Sequence, residues 1–122
     1  MINHVFAFHL PLAASELAAS PMSGIYVHIP FCRKACTYCD FHFSTRTEGM
    51  NDLLAAMDRE LALRATELKD DTVDTIYFGG GTPSLVPVDQ LAQIIADIRA
   101  RLRVASNAEV TLEANPDDIT EE

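Results

Sequence analysis

From residue 25 onward the apolar positions change period in a regular way. Residues 25–29 (IYVHI) alternate β-branched apolar positions with Tyr26 and His28 and stop at Pro30, which predicts a strand with one buried face. Between residues 50 and 68, Met50, Leu53, Leu54, Met57, Leu61 and Leu68 fall at spacings of three, four and seven, with acids and arginines between them. That spacing predicts an amphipathic helix. A second short strand is predicted at residues 75–78 (TIYF), where it runs straight into Gly79-Gly80-Gly81-Thr82-Pro83. Pro87 suits a first helical turn, Asp89 lies near its positive end, and Leu91, Ile94, Ile95, Ile98 and Leu102 mark one face of a second helix. Residues 110–113 (VTLE) predict a third strand, closed by Asn115-Pro116-Asp117-Asp118, with Asp118 or Thr120 placed to start a further helix.

The order β-α-β-α-β implies an α/β fold with a parallel sheet and right-handed crossovers. The 122 residues suffice for one domain and one core. The chain stops at "DDITEE", as if in the first turn of an element, so a fragment of a longer α/β protein is expected. Residues 1–21 read differently. They carry an apolar patch broken by Pro11 and Pro21 and lack the positive start of a signal peptide, so they are expected to form a poorly ordered extension, with Met22 as an alternative start of the domain at residues 22–122.

Composition narrows the classes of function. The hydrophobic and charged fractions, 48% and 22%, are those of a globular protein, and no apolar run approaches the roughly 20 residues that span a bilayer. A net charge of −9, with no basic block beyond Arg33-Lys34 and the thinly spaced Arg99, Arg101 and Arg103, argues against nucleic acid as the partner. All three cysteines, Cys32, Cys36 and Cys39, lie in the loop after the first predicted strand. An odd, clustered set fits a metal or redox site in a reducing compartment, and so a cytoplasmic protein, better than a disulfide framework.

Thiolates at C-x3-C-x2-C can converge on one centre, and thiolate is the ligand of both iron–sulfur clusters and zinc. A 4Fe-4S cluster held by three cysteines leaves one iron for an exogenous ligand. On the residues alone two other uses stay open: a zinc knuckle completed by His42 or His28, and a redox pair of Cys36 and Cys39 that leaves Cys32 idle. Three of the chain's five glycines stand together at the end of a predicted parallel strand, where α/β folds place ligands and a bare backbone allows close approach. No Gly-Lys-Ser/Thr follows, so the turn is not a phosphate loop. Glu113, opposite Val110 and Leu112 on its strand, can accept hydrogen bonds from ligand hydroxyls or an ammonium. Tyr26 and His28 share one strand face.

The run Tyr26-x-His28-x-Pro30-Phe31-Cys32-x3-Cys36-x2-Cys39, followed by "YFGGGTPS" and "LEANPDD", resembles the radical S-adenosylmethionine (radical SAM) superfamily. Within it the resemblance is to the branch containing oxygen-independent coproporphyrinogen III oxidase and the HemW-type heme chaperones, and it covers residues 24–122. The resemblance implies the first half of a partial TIM-like (β/α) barrel of radical SAM type. It implies that Cys32, Cys36 and Cys39 hold a 4Fe-4S cluster whose open iron binds SAM, and that SAM is cleaved there to a hydrogen-abstracting radical. Positions that contact SAM in the family fall on Tyr26, Tyr38, Gly80, Gly81, Thr82 and Glu113. Phe41 stands where the oxidase carries a fourth cysteine, so the continuation "CDFHF" resembles the chaperone branch. That branch implies heme as a further ligand and a heme-accepting protein as partner; the oxidase would take a porphyrinogen instead.

Overall fold

The computed structural model describes residues 5–9 as backbone and residues 23–68 and 71–119 in full. Four strands form one sheet in the order β1 (Val5–His9), β2 (Ser23–Ile29), β3 (Val73–Gly80), β4 (Val104–Leu112). β2, β3 and β4 are parallel neighbours, joined by helices α1 (Met50–Arg64) and α2 (Val88–Arg101). Because consecutive strands sit side by side, two right-handed crossovers in the same direction put both helices on one face of the sheet. That is barrel-like winding, and the opposite face becomes the inner wall.

The helix face is the core. Ile25, Val27 and Ile29 from β2 and Ile76 and Phe78 from β3 are at most 3% exposed and join Leu53, Met57, Leu61 and Ile98 in a single cluster. Truncating a residue such as Phe78 to alanine would cost about 3–5 kcal/mol. The alternation in residues 25–29 therefore places Tyr26 and His28 on the inner wall. Register extends the rule across the sheet: Tyr26 pairs with Tyr77, and Tyr77 with Thr111, so these three share that wall. Val110 and Leu112 pair with Ile76 and Phe78 on the helix face, yet they stay 42% and 41% exposed because no described helix lies over β4.

Several boundaries differ from the sequence reading. The strand expected at residues 110–113 begins six residues earlier at Val104 and ends at Leu112, with Glu113 just beyond. Residues 105–109 (ASNAE) carry no apolar alternation, and it is backbone pairing to β3, through a register shift after Val73, that makes them a strand. The helix expected over residues 50–68 is α-helical to Arg64 and closes as a 3-10 turn, Ala65–Leu68. Asp118 does not start a helix; it ends the 3-10 turn Pro116–Asp118, capped by Asn115, whose side chain accepts from the Asp117 amide, while Thr120 lies outside the described residues.

β1 is a strand that the sequence reading did not anticipate. It lies antiparallel along the outer edge of β2, from Val5 against Val27 to His9 against Ser23. Five residues of the presumed extension thus belong to the sheet, and they cover an edge that would otherwise present unpaired amides and carbonyls. The rest of residues 1–21 lies outside the described residues.

Candidate metal and cofactor site

The loops that leave the C-terminal ends of β2, β3 and β4 meet above the inner wall. The glycine turn fits there through close contacts. Gly79 lies under two rings: a Cβ at this position would come within 2.8 Å of Tyr77 and 2.9 Å of Tyr26. Gly80 has φ +119°, a conformation that favours glycine, and an added Cβ would also meet the His28 ring at 2.8 Å. Gly81 donates its amide to the Ile29 carbonyl at 2.8 Å, and a Cβ there would strike the Phe31 carbonyl oxygen at 2.5 Å and the Cys32 sulfur at 2.9 Å. The third glycine is therefore required by the cysteine loop itself, in addition to any ligand.

Cys32 is held from two directions. Its amide donates to the Ser44 carbonyl at 3.0 Å, where Phe31 and Ser44 form an isolated parallel bridge, and its sulfur accepts from the Thr82 hydroxyl at 3.6 Å. Cys36 and Cys39, half-buried like Cys32, are joined by a turn in which the Cys39 amide donates to the Cys36 carbonyl at 3.2 Å. The residues around them face water: Tyr38 is 87% exposed and Phe41 77%. The Cys36 sulfur beside the Tyr38 phenol holds that phenol above its ordinary range, chiefly through their hydrogen bond. All three cysteines are free thiols, and among the described residues no three His, Cys, Asp or Glu side chains stand together at metal-holding distances. The donor set fits a cluster in kind and number, with Cys32 bonded to neighbouring loops and Cys36 and Cys39 sharing one turn between exposed residues.

Across the sheet from Cys32, Glu113 closes the inner wall. Its Oε1 accepts from the Tyr77 hydroxyl at 2.7 Å, its Oε2 accepts from the Gly80 amide at 3.2 Å, and its own amide donates to the Phe78 carbonyl at 3.0 Å. Tyr26 stacks on Tyr77 with centroids 5.8 Å apart at 20°, and its hydroxyl lies 3.2 Å from His28 Nδ1. The Glu113 carboxylate pushes the Tyr77 phenol up through its hydrogen bond; burial, and then Glu113, push Tyr26 up. Both tyrosines thus stay neutral hydrogen-bonding groups at neutral pH.

The structure brings Tyr26, Gly80, Gly81, Thr82, Cys32 and Glu113 to one end of the sheet, whereas Tyr38, Cys36 and Cys39 sit on the outward loop. His42 is exposed and His28 lines the wall. Sequence reasoning missed Tyr77, two residues from the turn and on the inner parity of β3. It also missed Gly79, which gives room to both rings. A groove between α1 and α2, lined by Leu54, Met57 and Ile94, lies on the outer face of the sheet, remote from this chemistry.

Residues 26–122 match the family model of the Radical SAM superfamily. The chain belongs to the radical SAM superfamily. Membership implies a 4Fe-4S cluster and SAM. The chain is 41% identical over 113 residues to the heme chaperone HemW of Mycobacterium tuberculosis (strain ATCC 25618 / H37Rv), covering 88% of this chain and 29% of that protein. It is 38% identical over 102 residues to HemW of Escherichia coli (strain K12), covering 79% of this chain and 26% of the relative. An oxygen-independent coproporphyrinogen III oxidase of Bradyrhizobium diazoefficiens is 37% identical over 111 residues, covering 87% and 24%. Among solved structures, coproporphyrinogen III oxidase (HemN) from Escherichia coli, a radical SAM enzyme, superposes with a TM-score of 0.71 at 32% identity, over 78% of this chain and 22% of that one. The chain spans less than a third of the length of each.

Proposed function

We propose that this chain carries the cluster- and SAM-binding part of a HemW-type heme chaperone acting in heme or porphyrin metabolism. Cys32, Cys36 and Cys39 hold the 4Fe-4S cluster; Tyr26, Tyr38, Gly80, Gly81, Thr82 and Glu113 contact SAM. When bound, cluster and SAM together supply one-electron chemistry that ends in hydrogen abstraction. The chain's own residues prepare the place for it. Glu113 keeps a fixed carboxylate facing the inner wall, the bare Gly80-Gly81 backbone admits a ligand edge, and the stacked Tyr26 and Tyr77 form a flat apolar wall.

The observation that carries the choice of branch is Phe41, an exposed aromatic at the position where the oxidase has a fourth cysteine. The chaperone relatives named above support it. A heme-accepting protein is the expected partner, and three clustered free thiols suit the reducing cytoplasm. Among the described residues no helix is long and apolar enough to cross a membrane. The 37% identical oxidase and the HemN structure favour a second reading, oxidative decarboxylation of coproporphyrinogen III.

The two readings separate in one pair of assays on protein expressed from the complete gene and reconstituted anaerobically. Stable heme binding, followed by its Soret absorption, without turnover of coproporphyrinogen III supports the chaperone. Decarboxylation of coproporphyrinogen III overturns it.

A further inference from the structure

One carboxylate touches all three loops at the C-terminal ends of the parallel strands. Arg33, in the loop after β2, donates from Nε and from a terminal nitrogen to Asp118 Oδ1 at 2.9 and 2.8 Å. Ser84, in the loop after β3, donates its hydroxyl to Asp118 Oδ2 at 2.7 Å and accepts the Asn115 amide at 3.1 Å. Asp118 itself belongs to the loop after β4, in the turn that Asn115 caps. Its side chain is only 3% exposed, whereas that of Arg33 is 67% exposed. Both carboxylate oxygens are used, and the bonds are of the stronger, charge-assisted kind.

The position of Arg33 gives this network its meaning. It directly follows Cys32, whose own amide is tied to Ser44. Cys32 is therefore bracketed by a backbone bond at its own nitrogen and a side-chain tie one residue later. The "LEANPDD" run, which contributes Glu113 to the inner wall, then has a second task at its far end.

We propose that Asp118 is the positioning residue of the cysteine loop: by joining Arg33 to Ser84 it fixes Cys32 beside Gly81 and Thr82 before any cluster is assembled. This rests on the reading of Cys32 as a cluster ligand and deepens it. A ligand held in place by a supporting shell need not be ordered when the cluster arrives. Removing Asp118 leaves Arg33 in water rather than burying an unpaired charge, so the fold should survive the change.

The test uses protein expressed from the complete gene, as wild type, Asp118→Ala, Asp118→Asn, Arg33→Ala and the Arg33→Ala/Asp118→Ala pair. In metal-free protein, pulse alkylation read by mass spectrometry reports the reactivity of each cysteine. Cys32 should label several-fold faster in every variant, with Cys36 and Cys39 unchanged and the pair no faster than either single alanine change, because both partners serve one tie. Asp118→Asn keeps the side-chain volume and guards against a folding defect. After reconstitution, the same variants should lose iron to a chelator faster than wild type. Cys32 labelling at the wild-type rate in Asp118→Ala and Asp118→Asn would overturn the proposal, as would equal acceleration at all three cysteines, which would mean general loosening. Wild-type protein that takes up no iron and sulfide would sink the cluster reading instead, while the labelling pattern would still decide the tie.

Discussion

The two ends of the cysteine loop are placed by different means. Cys32 sits where β2 ends, bonded through its amide to Ser44, touching Thr82 through its sulfur and packed against Gly81. Cys36 and Cys39 share one turn with each other, beside Tyr38 and Phe41, which are 87% and 77% exposed. Strand register, set by the core, fixes the first thiol. The other two lie on a loop that a bound cluster would have to gather in, so one end of the site belongs to the fold and the other to the ligand.

The comparison predicts which changes act at which end. Cys36→Ala should abolish cluster assembly outright, since two thiolates cannot replace three; retained visible absorption and iron content would mean that the outward end is dispensable. Gly81→Val comes next. Its side chain would meet the Phe31 carbonyl and the Cys32 sulfur, an overpacking that costs about 1–3 kcal/mol in comparable sites. Iron content and SAM affinity should fall together; loss of SAM affinity alone would mean that the turn serves the ligand and not the cysteine loop.

Tyr77→Phe acts on the inner wall only. It removes the 2.7 Å bond to Glu113 and should weaken SAM binding measured by titration while iron content stays at the wild-type level. Equal SAM affinity would show that the Gly80 amide holds Glu113 well enough alone. Asp118 gives a pH effect of the same local kind. The Ser84 hydroxyl, and then Arg33, hold its carboxyl below its ordinary range. Its stabilising effect is thus present above the unfolded-state pKa and lost as pH falls through the folded one. The thermal midpoint of metal-free wild type should drop across that acid window, and Asp118→Asn should flatten the drop. Phe41→Ser should change stability least, by no more than about 0.5 kcal/mol, since its side chain packs on little. A larger shift in the unfolding midpoint would show that the outward loop is docked after all.

What could be read from the sequence follows the same division between local and distant causes. The alternation of residues 25–29 and the spacing along α1 and α2 are local, so the buried faces and the inner-wall position of Tyr26 and His28 were legible. So was the glycine turn at a strand end. The bond from Tyr77 to Glu113 joins residues 36 apart, and that from Arg33 to Asp118 joins residues 85 apart. Both depend on which strand lies beside which and in what register, information that no local pattern carries. β1 was missed for the same reason: a five-residue run becomes a strand only because the edge of β2 is there to pair with it. The polar start of β4 shows the same override of local preference by a neighbouring strand.

If the three thiols at the top of the parallel sheet hold an iron–sulfur cluster, the metal-free protein must be able to take one up. Anaerobic reconstitution with iron and sulfide, followed by metal and sulfide analysis of the re-purified protein, tests it most directly. The re-purified protein should be brown, with broad visible absorption and iron and sulfide in the ratio of a 4Fe-4S cluster. A colourless protein holding stoichiometric zinc would contradict it.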